Sequence, residues 1–119
     1  MKNACQLLLL GSLLSTGCGH APLAPDRAPP WVTSLISQLE AQPVANPPAF
    51  IAQYEFQGAT VYYVPPHCCD VWSTLYRADG SVACHPDGGI TGTGDGACPT
   101  FLNDRKNEQI VWRDPRAGS

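Results

Sequence analysis

Val32, Leu35, Ile36 and Leu39 fall at i, i+3, i+4 and i+7, one apolar stripe of a helix. Pro30 suits a first helical turn, where its missing N–H has no partner to lose, and Pro43 must stop the helix. The pattern predicts a helix from about Pro30 to Gln42.

The period then changes from helical to two. Between Phe50 and Val64 the chain alternates around Gln57-Gly58, which can form a tight turn. With that turn Phe56 faces Ala59, Tyr54 faces Val61 and Ala52 faces Tyr63, and all six side chains share one face. Gln53, Glu55, Thr60 and Tyr62 take the other, so a hairpin with one buried side is expected. A second hairpin is predicted from Val71–Tyr76 and Ser81–Cys84 around Asp79-Gly80. Glu108–Arg113, where Ile110 and Trp112 alternate with Val111, reads as a closing strand. The expected fold class is α+β: one N-terminal amphipathic helix packed on a small antiparallel sheet of two hairpins plus a C-terminal strand, stabilised by disulfides.

Ahead of the helix the composition changes. Lys2, the apolar run Leu7–Leu14 broken by Gly11 and Ser12, and the small residues after it read as a signal peptide over residues 1–17. The run is far short of the roughly 20 residues a spanning helix needs. Leu13-Leu14-Ser15-Thr16-Gly17-Cys18 resembles a bacterial lipobox, with Ser15 where Leu is usual and Leu14 one step earlier. Cys18 is therefore the expected lipidation site and the membrane a partner through that anchor; the alternative is plain secretion with Cys18 a spare cysteine. Gly19 after the cysteine resembles lipoproteins of the outer membrane, facing periplasm or exterior. Residues 18–30, with Pro22, Pro25, Pro29 and Pro30, read as an extended tether that spans on the order of 35 Å. Residues 31–116 remain for a single small disulfide-rich domain.

Seven basic and ten acidic side chains give a net charge of −3, and loss of Lys2 with the leader makes it more negative. No basic cluster exists, which argues against a nucleic-acid partner.

Cys68, Cys69, Cys84 and Cys98 are an even set in a small exported domain, which reads as two disulfides. Adjacent cysteines hold their Cα atoms about 3.8 Å apart, below the usual disulfide range. The expectation is therefore that Cys68 and Cys69 each bond to one of Cys84 and Cys98, in either pairing. Zinc is the competing reading, with His67 and His85 as further ligands, but two adjacent cysteines and two dispersed ones do not have the spacing of a zinc site.

Between Cys84 and Cys98 lies a glycine-rich loop that carries Asp87, Thr91, Thr93 and Asp95. These hard oxygen donors make residues 86–97 either a partner-contact loop or a calcium loop; no other cofactor is implied. No Lys follows the glycines, so a phosphate loop is not expected. His67 and His85 could act as bases with Asp70, Asp87 or Asp95, yet no nucleophile stands in a matching setting, and a small hydrolase is the weakest reading.

Tyr62-Tyr63-Val64, Cys68-Cys69-Asp70, Leu75-Tyr76 with Asp79-Gly80, and Pro86-Asp87-Gly88-Gly89-Ile90-Thr91-Gly92-Thr93-Gly94-Asp95-Gly96 through Cys98-Pro99 are similar to a family of short bacterial lipoproteins. Phe101 and the ending Trp112-Arg113-Asp114-Pro115-Arg116 fit it as well. The resemblance covers nearly the whole domain and implies export and a domain of unknown function, with no catalytic residues. The expected role is a lipid-anchored envelope binding module of unknown partner, without catalysis, whose contact surface is the Cys84–Cys98 segment.

Overall fold

The computed structural model of the chain describes residues 28–68 and 70–116. The leader, Cys18, the tether up to residue 27 and Cys69 lie outside the described residues. The elements are α1 (Pro30–Glu40), β1 (Phe50–Phe56), β2 (Ala59–Val64), β3 (Thr74–Arg77), β4 (Val82–Cys84), α2 (Phe101–Asp104) and β5 (Lys106–Arg113). The five strands form one antiparallel sheet in the order β4-β3-β2-β1-β5, so the fold is α+β.

The first hairpin has the expected register, with Ala52 opposite Tyr63, Tyr54 opposite Val61 and Phe56 opposite Ala59. Gln57 and Gly58 both have positive φ, 53° and 77°, which twists the turn with the strands it joins. The second hairpin is shorter than expected. β3 starts only at Thr74, and the turn is closed by Asp79 Oδ1, which accepts from the Ser81 N–H at 2.9 Å and its hydroxyl at 2.7 Å.

The sheet is buried on both faces, not one. Ala52, Tyr54, Phe56, Val61, Tyr63, Leu75 and Cys84 form one cluster with Phe101 of α2. α1 covers the opposite face, where Val32 packs with Ile51, Tyr62, Val64, Val111 and Trp112. Phe101 and the Cys84–Cys98 pair fill the face that α1 leaves open, while α1 itself covers its own face only in part. A helix of 11 residues spans about 16 Å and reaches only part of that face. Tyr62 lies under it, while Glu55 and Thr60 beyond its end stay exposed. The alternation of Ile110, Val111 and Trp112 is also broken. The register with β1 shifts between Ile51 and Ala52, and Val111 joins Trp112 on the helix side.

Phe101 was not marked by any periodicity, yet it is fully buried. Its ring meets Tyr54 and Phe56 edge-on, at 5.6 and 5.3 Å between centroids, and stacks on Tyr63 at 5.8 Å. The Arg105 guanidinium lies over the Tyr54 ring at 4.9 Å.

The disulfide pairing differs from expectation: Cys84 bonds to Cys98, across 6.2 Å between Cα atoms. Cys84 points from β4 into the Phe101 cluster, and Cys98 packs against that cluster just before α2, so the core itself brings the two together. Closing a loop of this size contributes about 3 kcal/mol. Cys68 is also disulfide-bonded, on an exposed loop. The zinc reading falls with these bonds, because three of its thiols are oxidised.

The C-terminal segment ties α1 to the sheet. Arg116 donates to the carbonyls of Gln42 (2.9 Å) and Leu39 (3.3 Å) at the open end of the helix. Buried Asp114 holds that guanidinium, with Oδ2 2.7 Å from Nη2. The Arg116 side chain, then its backbone N–H, holds the Asp114 carboxyl below the usual carboxylate range.

Two predictions follow from this packing. Phe101→Ala should cost about 3–5 kcal/mol in urea unfolding, whereas Leu102→Ala, at an exposed position, should stay within about 0.5 kcal/mol of wild type. Asp114 has a lowered pKa in the folded chain, so its stabilising contribution is present above the unfolded pKa and lost as pH falls through the folded one. Asp114→Asn should be less stable than wild type at neutral pH, and urea midpoints of the two should converge below the carboxylate range.

Candidate functional site

After Cys84 the chain winds back on itself before reaching Cys98. Within this loop the N–H groups of Gly92, Gly94 and Asp95 donate to the carbonyls of Gly89 (3.2 Å), Gly88 (3.0 Å) and His85 (2.9 Å). Gly94 is required by a close approach: a Cβ there would collide with the His85 carbonyl and sit 2.7 Å from the Asp87 nitrogen. The loop is also fastened from outside. Fully buried Ser73 donates its N–H to the Asp87 carbonyl at 2.9 Å, and its hydroxyl accepts from the Asp87 N–H at 3.1 Å. The Gly89 N–H donates to the Val71 carbonyl at 3.1 Å.

The expected site residues are drawn into this scaffold. The Asp87 carboxylate turns inward and accepts from the Tyr63 hydroxyl at 3.0 and 3.1 Å. Burial first, then the charge and hydrogen bond of Asp87, push the Tyr63 hydroxyl pKa up. Asp95 accepts from the backbone N–H of His85 at 3.1 Å and of Ala97 at 2.9 Å. The hydroxyls of Thr91 and Thr93 bond to each other at 2.8 Å on the exposed side. The four calcium candidates are therefore each engaged with a protein group. Among the described residues no three His, Cys, Asp or Glu side chains gather into a group that could hold a metal.

Ser73, His85 and Asp87 do come together, which the sequence did not reveal. Their wiring is not that of an activated nucleophile, which needs a hydroxyl bonded to the base. His85 Nδ1 lies 2.8 Å from the Ser73 carbonyl, not its hydroxyl, and a carbonyl only accepts, so Nδ1 carries the proton. The Ser73 hydroxyl is spent on the Asp87 backbone. His67 and Asp70 lie on the exposed loop before Val71 and make no hydrogen bond to this group among the described residues.

Beside the exposed threonines, the scaffold leaves three large apolar side chains outside. Val71 is 51% exposed, Trp72 46% and Ile90 89%. Trp72 lies against the bare backbone of Gly89, where a Cβ would come within 2.6 Å of indole Cδ1, and beside the His85 ring at 5.2 Å. An antiparallel bridge between Trp72 and Gly88 holds the two segments side by side. Trp72 was hidden in the sequence because its neighbours in space are Gly88 and Gly89, far along the chain. On the other side of Cys84 and Cys98 an open cleft of about 570 Å³ runs to Ala59, Arg77 and Ala83.

These features define a small disulfide-tied α+β domain that presents a fixed loop. Residues 37–114 match a family described as a domain of unknown function (DUF6970), over more than half of the chain. The chain belongs to that family. No curated protein and no solved structure matches it.

Gly94→Ala should distort the loop and lower stability by more than about 1 kcal/mol, because both the left-handed φ of 68° and the space are lost. Gly92→Ala, with open space around it, should cost less in the same thermal melts.

Proposed function

We propose that this protein is a lipid-anchored binding module of the bacterial envelope, tethered through Cys18, that captures a partner with Val71, Trp72 and Ile90. The observation that carries the reading is Ile90, almost wholly exposed at the tip of a loop whose own hydrogen bonds are closed internally. An ordered loop loses little conformational entropy on binding, so its apolar side chains can contribute to affinity instead of to ordering. Aromatic and aliphatic side chains of this kind form the anchors of interfaces, where a few contacts dominate. Asp87 and Asp95 hold the loop in this reading and do not touch the partner. The reading assigns no catalytic step.

A photo-crosslinking residue at position 90, in cells that express the full chain, tests it. A discrete adduct is expected from position 90, absent from position 38 on the exposed side of α1, and lost with Trp72→Ala. Equal adducts from both positions, or none, would overturn the contact surface. Labelling with an alkynyl fatty acid should mark the wild type and not Cys18→Ala; labelling of both, or neither, would remove the anchor.

A further inference from the structure

The Cys84–Cys98 bond joins the two ends of the proposed contact loop, and the two sulfurs have unequal surroundings. Cys84 is 5% exposed within the Phe101 cluster, whereas Cys98 is only partly buried. Both line the open cleft of about 570 Å³, whose walls of Ala83 and Ala97 leave space beside them. A thiol entering from solvent therefore reaches the Cys98 side first.

We propose that this disulfide is a redox gate on the contact loop, opened by a dithiol reductant. A thiolate of the reductant attacks Cys98 Sγ; a new S–S bond forms there, the Cys84–Cys98 bond breaks, and Cys84 leaves as a thiolate that takes up a proton. The second thiol of the reductant then attacks the mixed disulfide and releases Cys98. The protein gains two electrons and two protons, and the reductant ends as a disulfide.

The architecture separates what the bond holds from what it does not. β4 stays paired with β3, and α2 stays anchored by the Phe101 ring, so neither terminus of the loop depends on the covalent link for its place in the sheet. The two thiols remain neighbours, and the reaction can reverse. Beyond its moorings at Asp87 and Gly89, the loop is held by hydrogen bonds on its exposed side, such as His85 N–H to Asp95 and Ala97 N–H to Asp95, which compete with water. Reduction should loosen residues 88–97 while the sheet persists.

The gate rests on the binding reading for its purpose, but its chemistry is measured without a partner. The full chain is treated with dithiothreitol in native buffer, alkylated and mapped by mass spectrometry, alongside the double variant Cys84→Ser/Cys98→Ser, which leaves Cys68 untouched. Cys84 and Cys98 should be alkylated without denaturant. Amide exchange by mass spectrometry should show lost protection over residues 88–97, with β1, β2 and β5 unchanged, in reduced protein and variant alike. Resistance to reduction until the sheet unfolds would overturn the gate. So would a loop equally protected in the variant, or exchange that rises across the whole sheet. The crosslink from position 90 fails separately, by its absence in oxidised protein.

Discussion

The ring of Phe101 is the contact on which the second layer of this domain depends. It fills the face of the sheet that α1 does not reach, touching Tyr54, Phe56 and Tyr63 on β1 and β2. α2 has only four residues and makes no side-chain cap bond, so it has little stability of its own. Burial of one aromatic side chain holds it. With α2 in place, Cys98 comes to rest beside Cys84, and the glycine loop is left to close between two fixed points.

The same cluster explains how a polar loop is moored to an apolar sheet. Tyr63 stacks on Phe101 through its ring and donates its hydroxyl to Asp87, so one side chain joins core and loop. Fully buried Ser73 does the rest with backbone-like bonds just before β3. The Asp87 carboxylate is only half-buried, and its committed donor offsets the loss of water that this costs. On the other face, Trp31 bonds the Ala78 carbonyl at 2.9 Å, and Arg116 closes the far end of α1. The two faces are thus secured at different points of the chain.

How far these features could be read from residues follows from their range. The helix, the first hairpin and its register were legible because each rests on local period and a turn between neighbours. The second hairpin was legible at Asp79-Gly80 but not at its start, since strand-like Trp72 bridges to Gly88 and the Val71 carbonyl accepts from Gly89, neither of them in a strand. α2 was not legible because four residues show no helical period, and Phe101 owes its position to rings on other strands. The cross-pairing expected for the cysteines failed for the same reason: spacing limits which bonds can form, while packing around Phe101 selects Cys84 with Cys98.

The candidate site shows a related division. Residues that look chemical in the sequence, Asp87, Asp95 and His85, are the ones that give the glycine loop its shape, because a loop with many N–H groups near its own turns needs acceptors within reach. With those acceptors engaged, much of the loop's N–H capacity is satisfied, and Ile90 stands outward, as do Val71 and Trp72 on the segment before β3. A surface of exposed apolar groups on satisfied backbone favours recognition by shape and burial. The N–H groups of Asp87, Gly89, Gly92, Gly94, Asp95 and Ala97 are already spent on acceptors of the protein itself. That balance, more than any single residue, is what the proposed binding role rests on.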